Sequence, residues 1–263
     1  MSHTLFQVDA FTKEPFKGNP AAVCLLEGSE SDGWMQSLAT EMNLSETAFL
    51  LPEQDGWRLR WFTPKTEVDL CGHATLASAK VLFESRPYLR DKKIKFFTRS
   101  GELSASWITG QVELDFPAME YRSLTVLHQV VEVLGFQPIG AVFSGNYYLF
   151  EAGHPDQVLE LNPDMDKLAE LPMPEVIITA ESPSVDYDFI SRFFAPQLGV
   201  NEDPVTGSAH CLLTPYWARK TGKMHLTAFQ ASSRGGILEL EWVEDRVLIR
   251  GAATMIFKAE LML

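Results

Sequence analysis

Three clusters in this 263-residue chain hold side chains that could move a proton or bind an anion. The first centres on Glu46, the one acid in the run Leu44-Ser45-Glu46-Thr47-Ala48-Phe49-Leu50. A carboxylate on so apolar a strand is desolvated. Desolvation raises its pKa toward neutrality and suits it to take a proton and give it back. A strand-edge Glu facing solvent fits the same pattern. The second cluster is Asp69-Leu70-Cys71-Gly72-His73, a thiol and an imidazole where a helix is expected to start. The helix dipole there lowers a thiol pKa, and unpaired N–H groups favour a carboxylate. The competing readings are a small buried Cys71 and a structural His73. The third cluster is Asn201-Glu202-Asp203-Pro204-Val205-Thr206-Gly207-Ser208-Ala209-His210. In it Asp203 is either a helix cap or a substrate contact, and Ser208 offers its backbone N–H and hydroxyl to an anion. Nearby, Ser232-Ser233-Arg234-Gly235-Gly236 is either a hairpin turn with an exposed Arg234 or a cation on flexible backbone.

The second and third clusters are copies. Gly72-His73-Ala74-Thr75 recurs 135 positions later as Gly207-Ser208-Ala209-His210. In the same register Arg99 matches Arg234, Gly101 matches Gly236, Leu103 matches Leu238, Trp107 matches Trp242 and Val112 matches Val247. Such a repeat implies two similar half-molecules, each with a Gly-containing turn opening a helix. Two helix starts facing one cleft would hold an anionic small molecule.

The elements that must position these residues follow from local pattern. Strands are expected at 5–10, 21–26, 44–50, 57–62, 95–98, 103–107 and 111–116, and further strands at 142–151, 176–179, 226–231, 237–243 and 246–250. Ser31 or Asp32 caps a helix reaching about Met42, with Trp34, Leu38 and Met42 on one face. Helices are also expected at 125–134, closed by Gly135, and at 164–171. The helix from Gly72 to Phe83 is apolar nearly all round, which marks it as buried. A second buried helix is expected from about Gly207, kinked at Pro215. The architecture is therefore α+β, with two pseudo-symmetric halves, each a mixed sheet wrapped around one central apolar helix. The halves are residues 1–117 and 118–263, with the C-terminal tail a candidate addition to the first.

Composition narrows the function. The formal net charge is −13, from 35 acidic and 22 basic residues, which argues against a nucleic-acid binder. Hydrophobic residues make up 46% and charged residues 22%, enough apolar side chain for a sizeable core and against disorder. No signal peptide and no bilayer-length apolar run is visible, and the three cysteines form no CxxC, so a cytoplasmic protein without membrane partners is expected. No HxxxH or CxxC spacing points to a metal, and GxGxxG, Walker A and GxSxG motifs are absent.

Taken together, the segments resemble the PhzF-like phenazine-biosynthesis family, related in fold to diaminopimelate epimerase. The resemblance rests on Phe6–Thr12, Phe16–Val23, Asn43–Phe49, Leu59–Pro64, Glu67–Thr75, Arg192–Pro196, Asn201–His210 and Gln230–Gly236, and spans essentially the whole chain. It implies a cofactor-independent isomerase fold of two pseudo-symmetric halves, often a homodimer; that no metal is bound is expected from the spacing alone. It places the family's proton-shuttling acid on Glu46 and its substrate contacts on Gly72, His73, Asp203, Gly207 and Ser208. Cys71 and Arg234 are further candidates. In the phenazine enzyme the reaction isomerises dihydro-hydroxyanthranilate, and the implied substrate here is a small carboxylated metabolite. Two alternatives stand beside this: a non-catalytic binder on the same fold, and a single-thiol racemase or epimerase using Cys71.

Diaminopimelate epimerase places a thiol at each helix start, whereas here the repeat puts Thr206 opposite Cys71. A threonine hydroxyl is far too weak an acid to replace a thiol near neutral pH. The chain is therefore predicted not to be a two-thiol amino-acid epimerase. The check is a racemisation assay, and racemase activity abolished by Cys71→Ser would contradict the prediction.

Overall fold

The computed structural model describes residues 3–53 and 55–262. Contacts divide the chain into two units, Met1–Phe116 with Leu248–Leu263, and Pro117–Val247. In chain order the first unit holds β1 (Thr4–Ala10), β2 (Asn19–Leu25), α1 (Asp32–Met42), β3 (Glu46–Glu53) and β4 (Gly56–Phe62). It continues with β5 (Glu67–Val68), α2 (Gly72–Ser85), β6 (Ile94–Thr98), β7 (Gly101–Ile108) and β8 (Gln111–Pro117). The second unit holds β9 (Arg122–Ser123), α3 (His128–Leu134), β10 (Gly140–Ser144), β11 (Tyr147–Glu151), α4 (Asp156–Leu159) and α5 (Met165–Glu170). After these come β12 (Glu175–Glu181), β13 (Phe189–Ala195), β14 (Val200–Asp203), α6 (His210–Thr221), β15 (His225–Gln230) and β16 (Gly236–Val243), and then β17 (Arg246–Gly251), which starts in this unit and ends in the first. The last strand, β18 (Ala253–Glu260), returns to the first unit by pairing antiparallel with β1. The second unit therefore ends at Val247 and the tail belongs to the first.

In the first unit β1 pairs antiparallel with β2, β2 parallel with β3, and β3 antiparallel with β4. Strand β4 is antiparallel to β5 and parallel to β6, which is antiparallel to β7. The β2–β3 parallel pair needs a crossover, and α1 supplies it. Ser31 Oγ caps α1 by accepting from the Trp34 N–H at 3.2 Å, and Asn43 closes it in the left-handed region at φ 49°. Its Met35, Leu38 and Ala39 are buried in a cluster with Leu5, Phe49 and Phe62.

Helix α2 lies among β1, β2, β3, β7 and β18. From Gly72 to Phe83 all its residues except Lys80 are buried. Leu76, Val81, Leu82 and Phe83 have no exposed surface, and each such side chain contributes about 1.5–3 kcal/mol by leaving water. The hydroxyls that the burial traps bond within the helix, Thr75 Oγ1 to the Cys71 carbonyl at 2.5 Å and Ser78 Oγ to the Ala74 carbonyl at 2.7 Å.

The second unit repeats the order of pairings. Strands β10 and β11 are antiparallel, β11 and β12 parallel, and β12 and β13 antiparallel. Strand β13 is antiparallel to β14 and parallel to β15, which is antiparallel to β16. An ion pair recurs with them. Arg60 grips Glu67 through two bonds of 2.7 and 2.8 Å and lies over the Phe62 ring. Arg192 grips Glu202 at 2.7 and 2.9 Å and lies over Phe194.

Two expectations are corrected. Helix α6 begins at His210 rather than Gly207, because the His210 N–H bonds to the Gly207 carbonyl and the Cys211 N–H to the Ser208 carbonyl, making a tighter turn ahead of the helix. Likewise α3 starts at His128 instead of residue 125. Pro215 sits inside α6 and removes the bond that the Cys211 carbonyl would accept. The Met119 N–H donates to that carbonyl at 2.9 Å instead, which satisfies the acceptor Pro215 leaves free, and the helix extends to Thr221.

Gly18, just before β2, has φ +63°, and a Cβ there would lie 2.1 Å from the Ala10 carbonyl oxygen. Gly18→Ala should cost about 2–4 kcal/mol in urea unfolding, from strain and overpacking. Gly33→Ala, in α1 with open space around it, should be neutral or slightly stabilising. Equal effects at the two positions would show that the Gly18 turn is not the tight element described here.

Candidate functional site

Glu46 opens β3, opposite Ala21 of β2 in the parallel register. Its side chain is 18% exposed and turns toward α2, with Oε2 at 3.2 Å from His73 Nε2. This is not the solvent-facing strand-edge Glu of the competing reading. His73, in the first turn of α2, is buried. Its Nδ1 lies 3.1 Å from Asn19 Nδ2, at the start of β2. With the Asn19 amide donating to Nδ1, the imidazole keeps its proton on Nε2, toward Glu46. Cys71 is the N-cap residue of α2, in extended backbone, and its Sγ is 3.6 Å from His73 Nδ1. The Cys71 side chain makes no cap hydrogen bond to the helix start, where the first-turn N–H groups and the dipole favour negative charge.

Asp69 does not join this cluster. It is exposed and pairs with Arg99 at 3.3 Å, while Arg99 also pairs with Glu67 at 2.9 Å. The Arg60 guanidinium holds the Glu67 carboxyl below its ordinary range. Burial pushes the Cys24 and Cys211 thiols up to about 12, which leaves both inert.

In the second unit Asp203 ends β14 and is buried. Its Oδ2 accepts from Thr206 Oγ1 at 2.5 Å. Gln230 ties the loop together, with its Nε2 donating to the Asp203 carbonyl at 2.8 Å and to Thr206 Oγ1 at 3.2 Å, and its Oε1 accepting from the Thr206 N–H at 2.8 Å. Gly207 and Ser208 follow in the turn before α6, both buried, and Ser208 Oγ accepts from the Tyr147 hydroxyl at 3.0 Å. Arg234 is half-buried on the β15–β16 loop. Ser232 pins that loop by donating to the Pro204 carbonyl at 2.7 Å and accepting from the Gly235 N–H at 3.1 Å.

The fold thus gathers Glu46, Cys71 and His73 in the first unit, and Asp203, Thr206 and Ser208 on one loop of the second. Sequence reasoning gave no role to Asn19, Gln230 or Tyr147. Asn19 and Gln230 lie inside the motif segments and were open to notice, whereas nothing in the sequence marks Tyr147. Spacing argued against a metal, yet the fold brings Glu46 from another strand, and one donor atom from each of Glu46, Cys71 and His73 lies within 4.8 Å of the others. No described helix is long and apolar enough to cross a membrane.

A family model described as phenazine biosynthesis-like protein (PhzC-PhzF) matches residues 8–259. An uncharacterized isomerase of Halalkalibacterium halodurans is 50% identical over 264 residues, covering 100% of each chain. One from Pseudomonas aeruginosa is 45% identical over 259 residues, covering 98% of this chain and 97% of that protein. The crystal structure of a PhzF-family phenazine biosynthesis protein from Enterococcus faecalis matches with a TM-score of 0.95 at 42% identity, over 100% of each chain.

His210, the first residue of α6, is fully buried, and its Nδ1–H donates to the Thr206 carbonyl at 2.8 Å. Its Nε2 has no hydrogen-bond partner among the described residues, and burial pushes its pKa from 6.5 down to about 4. Between those values the unfolded chain binds a proton that the folded chain refuses. Stability present above pH 6.5 is therefore lost as pH falls toward about 4. Thermal melts across that window should fall more steeply for the wild type than for His210→Asn, whose amide keeps a donor but does not titrate. Parallel slopes would remove His210 as the cause.

Proposed function

Because this chain belongs to the phenazine biosynthesis-like (PhzC-PhzF) protein family, we propose that it is a cofactor-independent isomerase moving a proton on a small carboxylated metabolite. Relatives named as isomerases support an isomerase-type enzyme. The observation that carries the mechanistic reading is Glu46 Oε2 at 3.2 Å from His73 Nε2, in the first turn of α2.

Glu46 takes a proton from one carbon of the substrate and returns it to another carbon of the same molecule. No bond to the protein forms, and the carboxylate is regenerated at each turnover. His73, held from behind by Asn19, orients the substrate's hydroxyl or amino group and stabilises charge on the Glu46 carboxylate. Donors at Gly72, Gly207 and Ser208 take the substrate's carboxylate or the enolate charge that develops as the proton leaves. Asp203, held by Thr206 and Gln230, positions a polar substituent, and Arg234 adds a cation for an anionic substrate. We read the repeated order of pairings as two pseudo-symmetric copies of one half-molecule, each with its sheet around one apolar helix. The same reading includes a cytoplasmic homodimer without nucleic-acid or membrane partners.

A second reading is favoured by one contact, Cys71 Sγ at 3.6 Å from His73 Nδ1. In it, Cys71 is the single thiol of a racemase or epimerase and Glu46 is the partner base. Alkylation of Cys71 that abolishes turnover, and that substrate prevents, would favour this form.

The deciding experiment is solvent deuterium exchange followed by NMR, with a panel including dihydro-hydroxyanthranilate and carboxylated amino acids. The wild type should exchange or isomerise one panel member. Glu46→Gln should lose about 10²–10⁴ of that rate. The limb of the pH–rate profile that Glu46 causes should vanish with it. Full activity in Glu46→Gln removes Glu46 from the mechanism. Tight binding of a panel member without exchange supports a non-catalytic binder instead.

A further inference from the structure

We propose that Glu46, Cys71 and His73 form a binding site for one Zn²⁺-like cation. The donor set is a thiol, an imidazole and a carboxylate, which is the chemistry zinc and cobalt favour and magnesium and calcium do not. The three donor atoms lie within 4.8 Å of one another. One separation already matches two ligands on a single ion, His73 Nε2 to Glu46 Oε2 at 3.2 Å, while Cys71 Sγ lies 3.6 Å from the other ring nitrogen, Nδ1, and has to close in on the Nε2 side. Zinc bonds of the usual length set such ligand atoms about 3.3–3.8 Å apart. An ion on Nε2 moves the ring proton to Nδ1, the Asn19 amide turns its oxygen to accept it, and rotation of the Cys71 side chain brings Sγ onto the same ion as Nε2 and one carboxylate oxygen.

Charge and burial favour the same occupant. The α2 start is unfavourable for a bare cation, because the dipole is positive there. A thiolate and a carboxylate contribute two negative charges, which a divalent ion neutralises. On binding, the Cys71 thiol loses its proton to solvent as the sulfur–metal bond forms. His73 and Cys71 are 4% and 6% exposed, so few waters compete at those two positions. Glu46 is 18% exposed and leaves room for a water as the fourth ligand. Sequence spacing alone misses this site because Glu46 comes from β3 while the other two donors come from the start of α2.

Binding stands on this geometry alone. Its consequence rests on the role proposed for Glu46: a carboxylate engaged with a metal cannot carry the substrate's proton, so the ion inhibits turnover. The two parts are tested separately. Co²⁺ is titrated into wild type, Cys71→Ser and Glu46→Gln, with the native fold of each verified by circular dichroism. The wild type should take up one Co²⁺ per chain and show a thiolate-to-cobalt charge-transfer band that Zn²⁺ displaces. Cys71→Ser should lose the band, and Glu46→Gln should bind at least about 10-fold more weakly. A wild type without the band, or a band that persists in Cys71→Ser, overturns the site. Zn²⁺ inhibition of deuterium exchange is read in a separate assay, so failure of the isomerase reading leaves the cobalt spectra decisive for the metal.

Discussion

A histidine is buried at the start of a helix that is apolar almost everywhere else, and the polar partners it needs come from two strands. An imidazole without partners in such a place costs about 1–3 kcal/mol, so the partners are obligatory rather than decorative. Asn19 from β2 meets one ring nitrogen of His73 and Glu46 from β3 meets the other. Those strands must run parallel and adjacent, with Ala21 opposite Glu46. Parallel neighbours in turn need the α1 crossover, and Asn19 needs the tight Gly18 turn ahead of it. The chemistry of the first unit thus hangs on backbone features well away from it.

The second unit resolves the equivalent position differently. Thr206 stands where the repeat would place Cys71, and its hydroxyl bonds to the Asp203 carboxylate instead of facing an imidazole. Gln230 closes the network on three atoms of the same loop. Asp203, Thr206 and Gln230 there hold one another. The contrast leaves an imidazole beside a carboxylate in the first unit and a hydroxyl tied to a carboxylate in the second. It follows from residue types rather than from backbone, since the order of strand pairings is shared and both units use the same Arg–Glu fork.

Much of this was legible in the chain. Ser31 as a cap, Gly135 as a helix stop and the apolar character of α2 follow from local stereochemistry and periodicity, which act over a few residues. The copied segments were visible because β7 and β16 open 135 positions apart, at Gly101 and Gly236. Other features were not legible. The late start of α6 depends on the turn through Gly207 and Ser208, and the carbonyl that Pro215 leaves without a helical donor is met by Met119, far away in sequence. Tyr147 carries no motif at all, yet its hydroxyl reaches Ser208.

The amino-acid sequence by itself determined which chemistry is available: one acid on an apolar strand, a thiol and an imidazole at one helix start, and a carboxylate and hydroxyls before the other. These follow from residue identity and from patterns a few residues long. Only the tertiary structure decided which of those groups meet. It turned Glu46 onto His73 rather than into solvent and set Asp69 aside on Arg99. It also brought a third metal-ligating donor to a pair whose spacing alone predicts no site. The reason is physical. Contacts across 27 residues from Glu46 to His73, or 54 from Asn19 to His73, are fixed by sheet register and helix packing, which no local pattern encodes.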